Sequence, residues 1–247
     1  MSQIEINTLP QMNQVWSQTL DWQPSDTQEQ LFQQVYQEVL AGNRQQNLTR
    51  ITSSEDFWEK HLWDSLSGIV GLPAEILNQQ LQVIDVGTGA GFPGIPLAIA
   101  FPHWQITLLD STRKKITFVN DLIAKLQLNN ATGIVARAEA LARVPGDRAS
   151  YDLALVRAVS KASVCAEYSL PFIKTGGFAI LYRGQWNDQE TLNLESAVAQ
   201  LGSKIELIHP WSTPLTQGIR HCIYLRKDSA TPKQFPRAVG VPDKQPL

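Results

Sequence analysis

Cysteine is scarce in this chain: Cys165 and Cys222 stand alone among 247 residues. Such a pair makes neither a disulfide framework nor a metal-ligand cluster, and a cytoplasmic protein is expected. Long apolar runs are absent too; nothing approaches the ~18 consecutive apolar residues of a membrane-spanning helix. The opening MSQIEINTLPQMNQ has neither a basic start nor an apolar core, so no signal peptide is expected. Excess positive charge is also lacking, since the net charge is −2. That balance alone argues against a nucleic-acid binder, but the charge is unevenly spread. Residues 1–80 hold 3 Lys/Arg against 10 Asp/Glu, residues 81–225 hold 13 against 11, and residues 226–247 hold 5 against 2. A polyanionic partner would meet the later part of the chain.

Residues 1–80 read as helical. After Pro24-Ser25, the segment DTQEQLFQQVYQEVLAG sets Leu31, Phe32, Val35, Tyr36, Val39 and Leu40 on one face at helical spacing. Thr27 with Gln30 makes a capping box and Gly42 a stop. A second helix is expected after Ser53-Ser54, with Phe57, Trp58, Leu62, Leu66 and Ile69 as its apolar stripe. The twelve glutamines before Asn47 are interleaved with apolar anchors, which makes them solvated helix surface and not a disordered tract.

From residue 81 short apolar runs alternate with amphipathic stretches. Strands are expected at 81–86, 105–109, 133–137, 152–157, 177–183, 204–209 and 219–226, and helices at 94–101, 112–127, 161–174 and 188–201. This alternation implies a parallel sheet wound on both faces. The last two strands are joined by about ten residues containing Pro210, Pro214 and Gly218, too few for a helical crossover, so that pair is expected to be antiparallel. The tail ATPKQFPRAVGVPDKQPL has four prolines and no periodicity. The expected division is a helical extension over 1–80, an α/β domain over 81–226 and a basic tail over 227–247.

The stretch LQVIDVGTGAGFPGIPLAI carries most of the functional information. Four glycines within eight residues, directly after a strand, let backbone N–H groups approach a ligand closely. One frame, Gly89-Ala90-Gly91-Phe92-Pro93-Gly94, matches the dinucleotide fingerprint of an NAD-dependent oxidoreductase. That frame starts late, however, and Pro93 and Pro96 have no N–H to offer a pyrophosphate. The other frame, Asp85-Val86-Gly87-Thr88-Gly89-Ala90-Gly91, suits S-adenosylmethionine, whose bound part carries no phosphate. A carboxylate for the ribose diol follows at Asp110, 25 residues after Asp85. An acid there would serve an NAD ribose equally well. The missing phosphate-binding chemistry and the antiparallel final pair favour a methyltransferase, and no Tyr-x-x-x-Lys pair supplies a dehydrogenase's proton relay.

The fourth strand ends in Val156-Arg157-Ala158-Val159, where amino-group methyltransferases need a (D/N)PP(Y/F) turn. Pyrimidine C5 methylation needs a nucleophilic cysteine, and Cys165 and Cys222 read as buried small hydrophobes. An acceptor that is already nucleophilic remains, such as guanine N7, which needs alignment and electrostatics but no general base.

Residues 85–97 (DVGTGAGFPGIPL), with Leu109-Asp110-Ser111 and Arg157-Ala158, resemble the bacterial small-subunit (16S) ribosomal RNA guanine-N7 methyltransferases, also called glucose-inhibited division protein B. Asn47-Leu48-Thr49, His61-x-x-Asp64-Ser65-Leu66, Arg220-His221 and the tail from Phe235-Pro236-Arg237 extend the likeness from residue 47 to the end. The resemblance implies a class I methyltransferase fold: a Rossmann-like, mostly parallel seven-stranded sheet with an antiparallel last strand, plus the N-terminal helices. It implies S-adenosylmethionine held by Gly87 and Phe92, with Asp110, Ser111 and Thr112 at the ribose and adenine and Ala138-Glu139 edging the adenine. Arg157 would lie beside cofactor and substrate as the catalytic positioning residue. The bland alternatives are a core Phe92, a Glu139 that merely begins an exposed helix, and an Arg157 in a structural ion pair.

Arg137, Arg157 and Arg220, near strand ends, could form a positive pocket for RNA phosphate or for guanine O6. Arg183-Gly184 stands where the family commonly has Lys-Gly; the charge survives but the geometry changes. Lys227, Lys233, Arg237 and Lys244, spaced by prolines, could track an RNA backbone. The alternative is a tail packed back over the sheet. Small-subunit rRNA is the expected partner, as a ribosomal subunit or assembly intermediate, with no membrane and no metal. Besides the oxidoreductase, the remaining rival is a non-catalytic S-adenosylmethionine-binding RNA accessory protein.

Overall fold

The computed structural model describes residues 8–247. Residues 1–7, the first half of the segment read as no signal peptide, lie outside them. The chain opens with helices α1 (Asn13–Leu20) and α2 (Asp26–Gln46). A continuous helix then runs through α3 (Ser54–Phe57), a π-helical stretch Trp58–Trp63 and α4 (Asp64–Ser67), and α5 (Ala74–Leu77) leads into the sheet.

Two expectations about α2 are corrected. Its capping box is Ser25 with Gln28: Gln28 N–H donates to Ser25 Oγ at 3.4 Å, and Ser25 N–H to Gln28 Oε1 at 2.9 Å. Thr27 already lies inside the helix, because Ser25 after Pro24 is extended and opens the helix two residues earlier. Gly42 does not stop it. The helix passes through Gly42 and ends at Asn47, which takes the left-handed conformation (φ 50°). Gly42 instead admits the Phe118 ring, since a Cβ there would lie 2.6 Å from Cε2.

The α/β region follows as β1 (Gln82–Val86), α6 (Gly94–Ala100), β2 (Gln105–Asp110), α7 (Arg113–Lys125), β3 (Ala131–Val135) and α8 (Ala138–Leu141). It continues as β4 (Tyr151–Arg157), α9 (Ala162–Ser169), β5 (Ile173–Arg183), α10 (Asp188–Gln200), β6 (Ser203–Ser212), β7 (Ile219–Lys227) and α11 (Val241–Lys244). One seven-stranded sheet has the order β3-β2-β1-β4-β5-β7-β6. β1 to β5 pair in parallel, and β7 runs antiparallel to both β5 and β6, as the short final connection required.

Boundaries shift where tertiary pairing overrides local pattern. β3 starts two residues early, and the expected helix 161–174 gives way at Ile173 to β5. Ile173 pairs with Tyr151 across a register shift, and Gly176, at φ 90°, lies within that irregular part of the strand.

Alternate strand residues point to opposite faces. Val83, Leu153, Leu155, Ile180 and Tyr224 join the core beneath α1 to α7, while Ile84, Ala154, Val156, Leu181 and Ile223 join the core beneath α8 to α10. The N-terminal helices therefore share a core with the sheet. Gly68 and Gly71 make that approach close: a Cβ on either would lie within 2.4 Å of Tyr182 or Tyr224. Those tyrosines bond across the contact, Tyr182 Oη to Ser65 O at 2.9 Å and Gly71 N–H to Tyr224 Oη at 3.1 Å.

The tail packs back. Lys227 is buried at 2% exposure, with Nζ on the carbonyls of Leu170 and Leu201 and on Thr231, so it is no RNA contact. Arg148 donates to the Thr231, Pro232 and Phe235 carbonyls, and Arg237 grips the buried Glu167 at 2.6 Å.

Candidate functional site

β1 to β5 end on one edge of the sheet, and β7, running the other way, begins there. The strand order reverses between β1 and β4, and open α/β sheets bind ligands in the crevice at such a point. A cavity of about 250 Å³ opens there, lined by Gly87, Asp110, Ser111, Thr112, Ala138 and Glu139, with Lys115, Ala158, Val159 and Tyr168. Six of the eight residues expected at the cofactor come together in it. Phe92 and Arg157 lie outside its lining.

The glycine turn is bare backbone at the cavity floor. Gly87 is left-handed (φ 80°), and a Cβ on it would come within 2.5 Å of Val159 Cγ2. Six of the turn's N–H groups are already taken: Gly87 and Thr88 donate to Leu109 O, Gly91 and Phe92 to Thr88 O, Gly94 to Asp85 Oδ2 and Gly89 to Asp110 Oδ2. A pyrophosphate needs free amides, so this turn suits a ligand without phosphate. Asp110 also accepts from Thr112 N at 2.8 Å and lies 3.6 Å from Lys115 Nζ. Each of its oxygens keeps a further lone pair.

Asp85 is fully buried. Its Oδ2 accepts from Thr88 Oγ1 at 2.6 Å and from Gly94 N at 2.9 Å, whereas Oδ1 has no partner. Burial pushes its pKa up to about 6, partly offset by those hydrogen bonds. Glu139 is buried too, at 1% exposure, and holds Arg137 through two bonds and Gly240 N–H at 2.9 Å. It does not begin an exposed helix; it joins the cavity edge to the tail.

A second cavity, of about 390 Å³, is lined by Lys60, His61, Asp64, Arg157, Tyr182, Arg183 and Arg220. Ala158 lines both cavities, in the left-handed conformation at φ 54°. Arg157 closes β4 and is held on several sides. Its Nη1 donates to Asp64 Oδ2 at 2.8 Å and to Lys60 O at 3.0 Å, Nη2 lies 3.4 Å from His61 Nδ1, and Cζ stands 5.7 Å over the Phe92 ring. His61 stacks on Phe92 at 4.4 Å and meets Thr49 Oγ1 at 2.8 Å. Burial and the Arg157 charge push its pKa down to about 3, so it is neutral. Phe92 is thus both core, at 5% exposure, and the floor under Arg157.

Arg220 Nε lies 3.5 Å from Asp64 Oδ1, so one carboxylate serves two arginines from different strands. Arg183 donates to Ser160 O at 2.7 Å. Of the other basic residues expected at RNA, Arg137 pairs with Glu139 and Arg237 with Glu167, while Lys233 and Lys244 are exposed. Reading by residue type missed Lys115 and Tyr168 in the first cavity and Glu59 beside the second. Asp64 enters the sequence reading only within the His61-x-x-Asp64-Ser65-Leu66 part of the resemblance, with no role given to it.

Taken with the sheet order, a phosphate-free glycine turn and a carboxylate closing β2 define a class I S-adenosylmethionine-dependent methyltransferase. The sequence model of the family rRNA small subunit methyltransferase G matches residues 28–218. Ribosomal RNA small subunit methyltransferase G of Nostoc sp. is 55% identical over 98% of this chain and 99% of its own length. Its counterpart in Trichodesmium erythraeum is 50% identical over 100% and 98%. The chain belongs to the rRNA small subunit methyltransferase G family. Among solved structures, NSun6 from Pyrococcus horikoshii with SFG superposes with a TM-score of 0.50 at 14% identity, covering 63% of this chain and 50% of that one, a likeness of fold alone.

Proposed function

We propose that this chain transfers the methyl group of S-adenosylmethionine to N7 of a guanine in small-subunit ribosomal RNA. The adjacency of the two cavities carries the reading: Ala158 is the shared wall, so a donor in one and a base in the other would meet across a single residue. Asp110 would take the ribose hydroxyls, with Ser111 and Thr112 beside it, Ala138 and Glu139 at the adenine edge, and Gly87 giving close passage to the methionine end. S-adenosylmethionine, when bound, supplies an electrophilic methyl on a sulfonium.

The protein's own part is alignment and charge. Guanine N7 has a lone pair and no proton to lose, so no general base is required, and neutral His61 is a support for Arg157 and not an acid. Arg157, with Arg220 and Arg183, would hold guanine O6 or a flanking phosphate and leave N7 facing the donor. Phe92 would act through Arg157. Neither cysteine offers a thiolate for pyrimidine C5 chemistry: burial pushes Cys165 up to about 11 and Cys222 higher still.

Arg137, Lys233 and Lys244 are exposed for RNA backbone, and Arg237 would act by fastening the tail. In this reading residues 1–80 shape the base pocket, 81–226 carry the chemistry and 227–247 form the tail. A net charge of −2 favours a ribosomal subunit or assembly intermediate over naked RNA, in the cytoplasm. Among the described residues no helix is long and apolar enough to cross a membrane, and no group of three or more His, Cys, Asp or Glu could hold a metal ion.

The test is transfer of labelled methyl from S-adenosylmethionine to small-subunit particles from cells lacking this gene, followed by borohydride–aniline cleavage at 7-methylguanosine. A single new break in the small-subunit RNA is expected. Label on protein or a small molecule would overturn the substrate, and cofactor binding without any transfer would favour a non-catalytic accessory role.

A further inference from the structure

Glu59 lies in the π-helical stretch, is 0% exposed, and faces the loop between β6 and β7. Its Oε1 accepts from the N–H groups of Leu215, at 2.6 Å, and Thr216, at 2.9 Å, and its Oε2 accepts from Thr216 Oγ1 at 2.5 Å. These donors stand more than 150 residues away in sequence. Burial opposes its charge, but the hydrogen bonds from Thr216, Leu215 and Thr213 outweigh that and hold the carboxyl below its ordinary pKa. A buried anion is thus gripped by loop backbone.

The loop is closed on itself as a unit. Thr213 N–H donates to Gly218 O at 2.9 Å, Gly218 N–H to Thr213 Oγ1 at 2.9 Å, and Gln217 N–H to Thr213 O at 3.0 Å. Arg220 follows two residues after Gly218 and enters the second cavity. The same continuous helix meets this unit twice, through Glu59 at the loop backbone and through Asp64 at Arg220 Nε, 3.5 Å away.

We propose that Glu59 is a positioning residue for RNA recognition, anchoring the β6–β7 loop so that Arg220 is set at the mouth of the arginine pocket. The proposal rests on the reading that this pocket receives RNA. Glu59 itself lines neither cavity and its carboxylate is spent on the loop, so its effect passes through Arg220 and leaves the cofactor cleft alone.

The variant is Glu59→Gln in the full chain, which keeps the side chain's size but removes the charge that strengthens the bonds from the loop's N–H groups. With undermethylated small-subunit particles, KM should rise about tenfold, the scale of one lost charge-assisted hydrogen bond. The kcat at saturation should stay within about twofold, because Arg157, held by Asp64 and Lys60 O independently of the loop, still orients the base. Calorimetric affinity for S-adenosylmethionine should not change. Arg220→Ala should raise KM comparably, and the double variant E59Q/R220A should be no worse than R220A, since one residue acts through the other. Hydrogen exchange at the Leu215 and Thr216 amides should accelerate in E59Q. Unchanged KM, additive effects in the double variant, or parallel losses of kcat, cofactor affinity and melting temperature would overturn the proposal. So would amides that stay as protected as in the wild type. Wild-type protein that transfers nothing to the particles would sink the functional reading instead, and amide exchange would still decide whether Glu59 holds the loop.

Discussion

Arg157→Ala separates a structural arginine from a working one, but only beside a second substitution. The pair it breaks is buried, with side-chain exposures of 14% for Arg157 and 10% for Asp64. Removing one partner of such a pair costs about 3–5 kcal/mol, chiefly because the other charge is stranded. Arg220 remains 3.5 Å from Asp64 Oδ1 and shares that charge, which places the loss near the lower figure. For a chain of this length, about 3 kcal/mol corresponds to a fall of ~6–12 °C in Tm. Adding Asp64→Asn removes the stranded anion, so the double variant R157A/D64N should recover about 2 kcal/mol of that. Methyl transfer should not recover. Both variants should lose on the order of a hundredfold in kcat/KM, because the positioning guanidinium is gone in each. Thermal unfolding and labelled methyl transfer, the latter well below both melting temperatures, read the two quantities apart. A double variant that regains activity together with stability would reduce Arg157 to the ion-pair role and refute the reasoning.

Gly87→Ala puts a Cβ into a left-handed position and against Val159, so stability should fall by about 1–2 kcal/mol and the Kd for S-adenosylmethionine should rise at least ~tenfold. Adding Val159→Ala should relieve the contact without restoring calorimetric cofactor binding, because the methyl still stands at the cavity floor; unchanged binding in the single variant would contradict this placement. Asp85, with its pKa raised from 3.8 to about 6, favours the fold while protonated, a stability contribution present below 3.8 and lost as pH rises through 6. Asp85→Asn removes that loss, so its stability relative to wild type should climb by about 2 kcal/mol between pH 4 and pH 7. His61, whose lowered pKa acts in the opposite direction over the same range, is common to both proteins and cancels in the difference; a flat difference curve in chemical denaturation would disprove the burial argument.

Strands β1, β4 and β5 were legible because Val83-Ile84, LALV and AILY are buried on both faces and need apolar residues at every position. The antiparallel β7 followed from a connection too short for a crossover, and the cofactor cleft from a glycine turn after one strand and an acid closing the next. These are local properties, set by residues adjacent along the chain. Helix limits were less legible: Gly42 reads as a stop until Phe118 is seen packed against it, and residues 161–174 read as one helix until Ile173 is seen paired with Tyr151. The arginine pocket was least legible of all. Its arginines could be named from strand ends, but the carboxylate that holds Arg157 lies 93 residues away, and the one that holds the β6–β7 loop lies 156 residues away. Sequence by itself determined which segments are strands, which turn sets prolines where a pyrophosphate would need amides and which charges were available. Only the tertiary structure decided which charges meet, because a buried ion pair depends on distance and desolvation, and neither is set until the N-terminal helix is packed across the sheet.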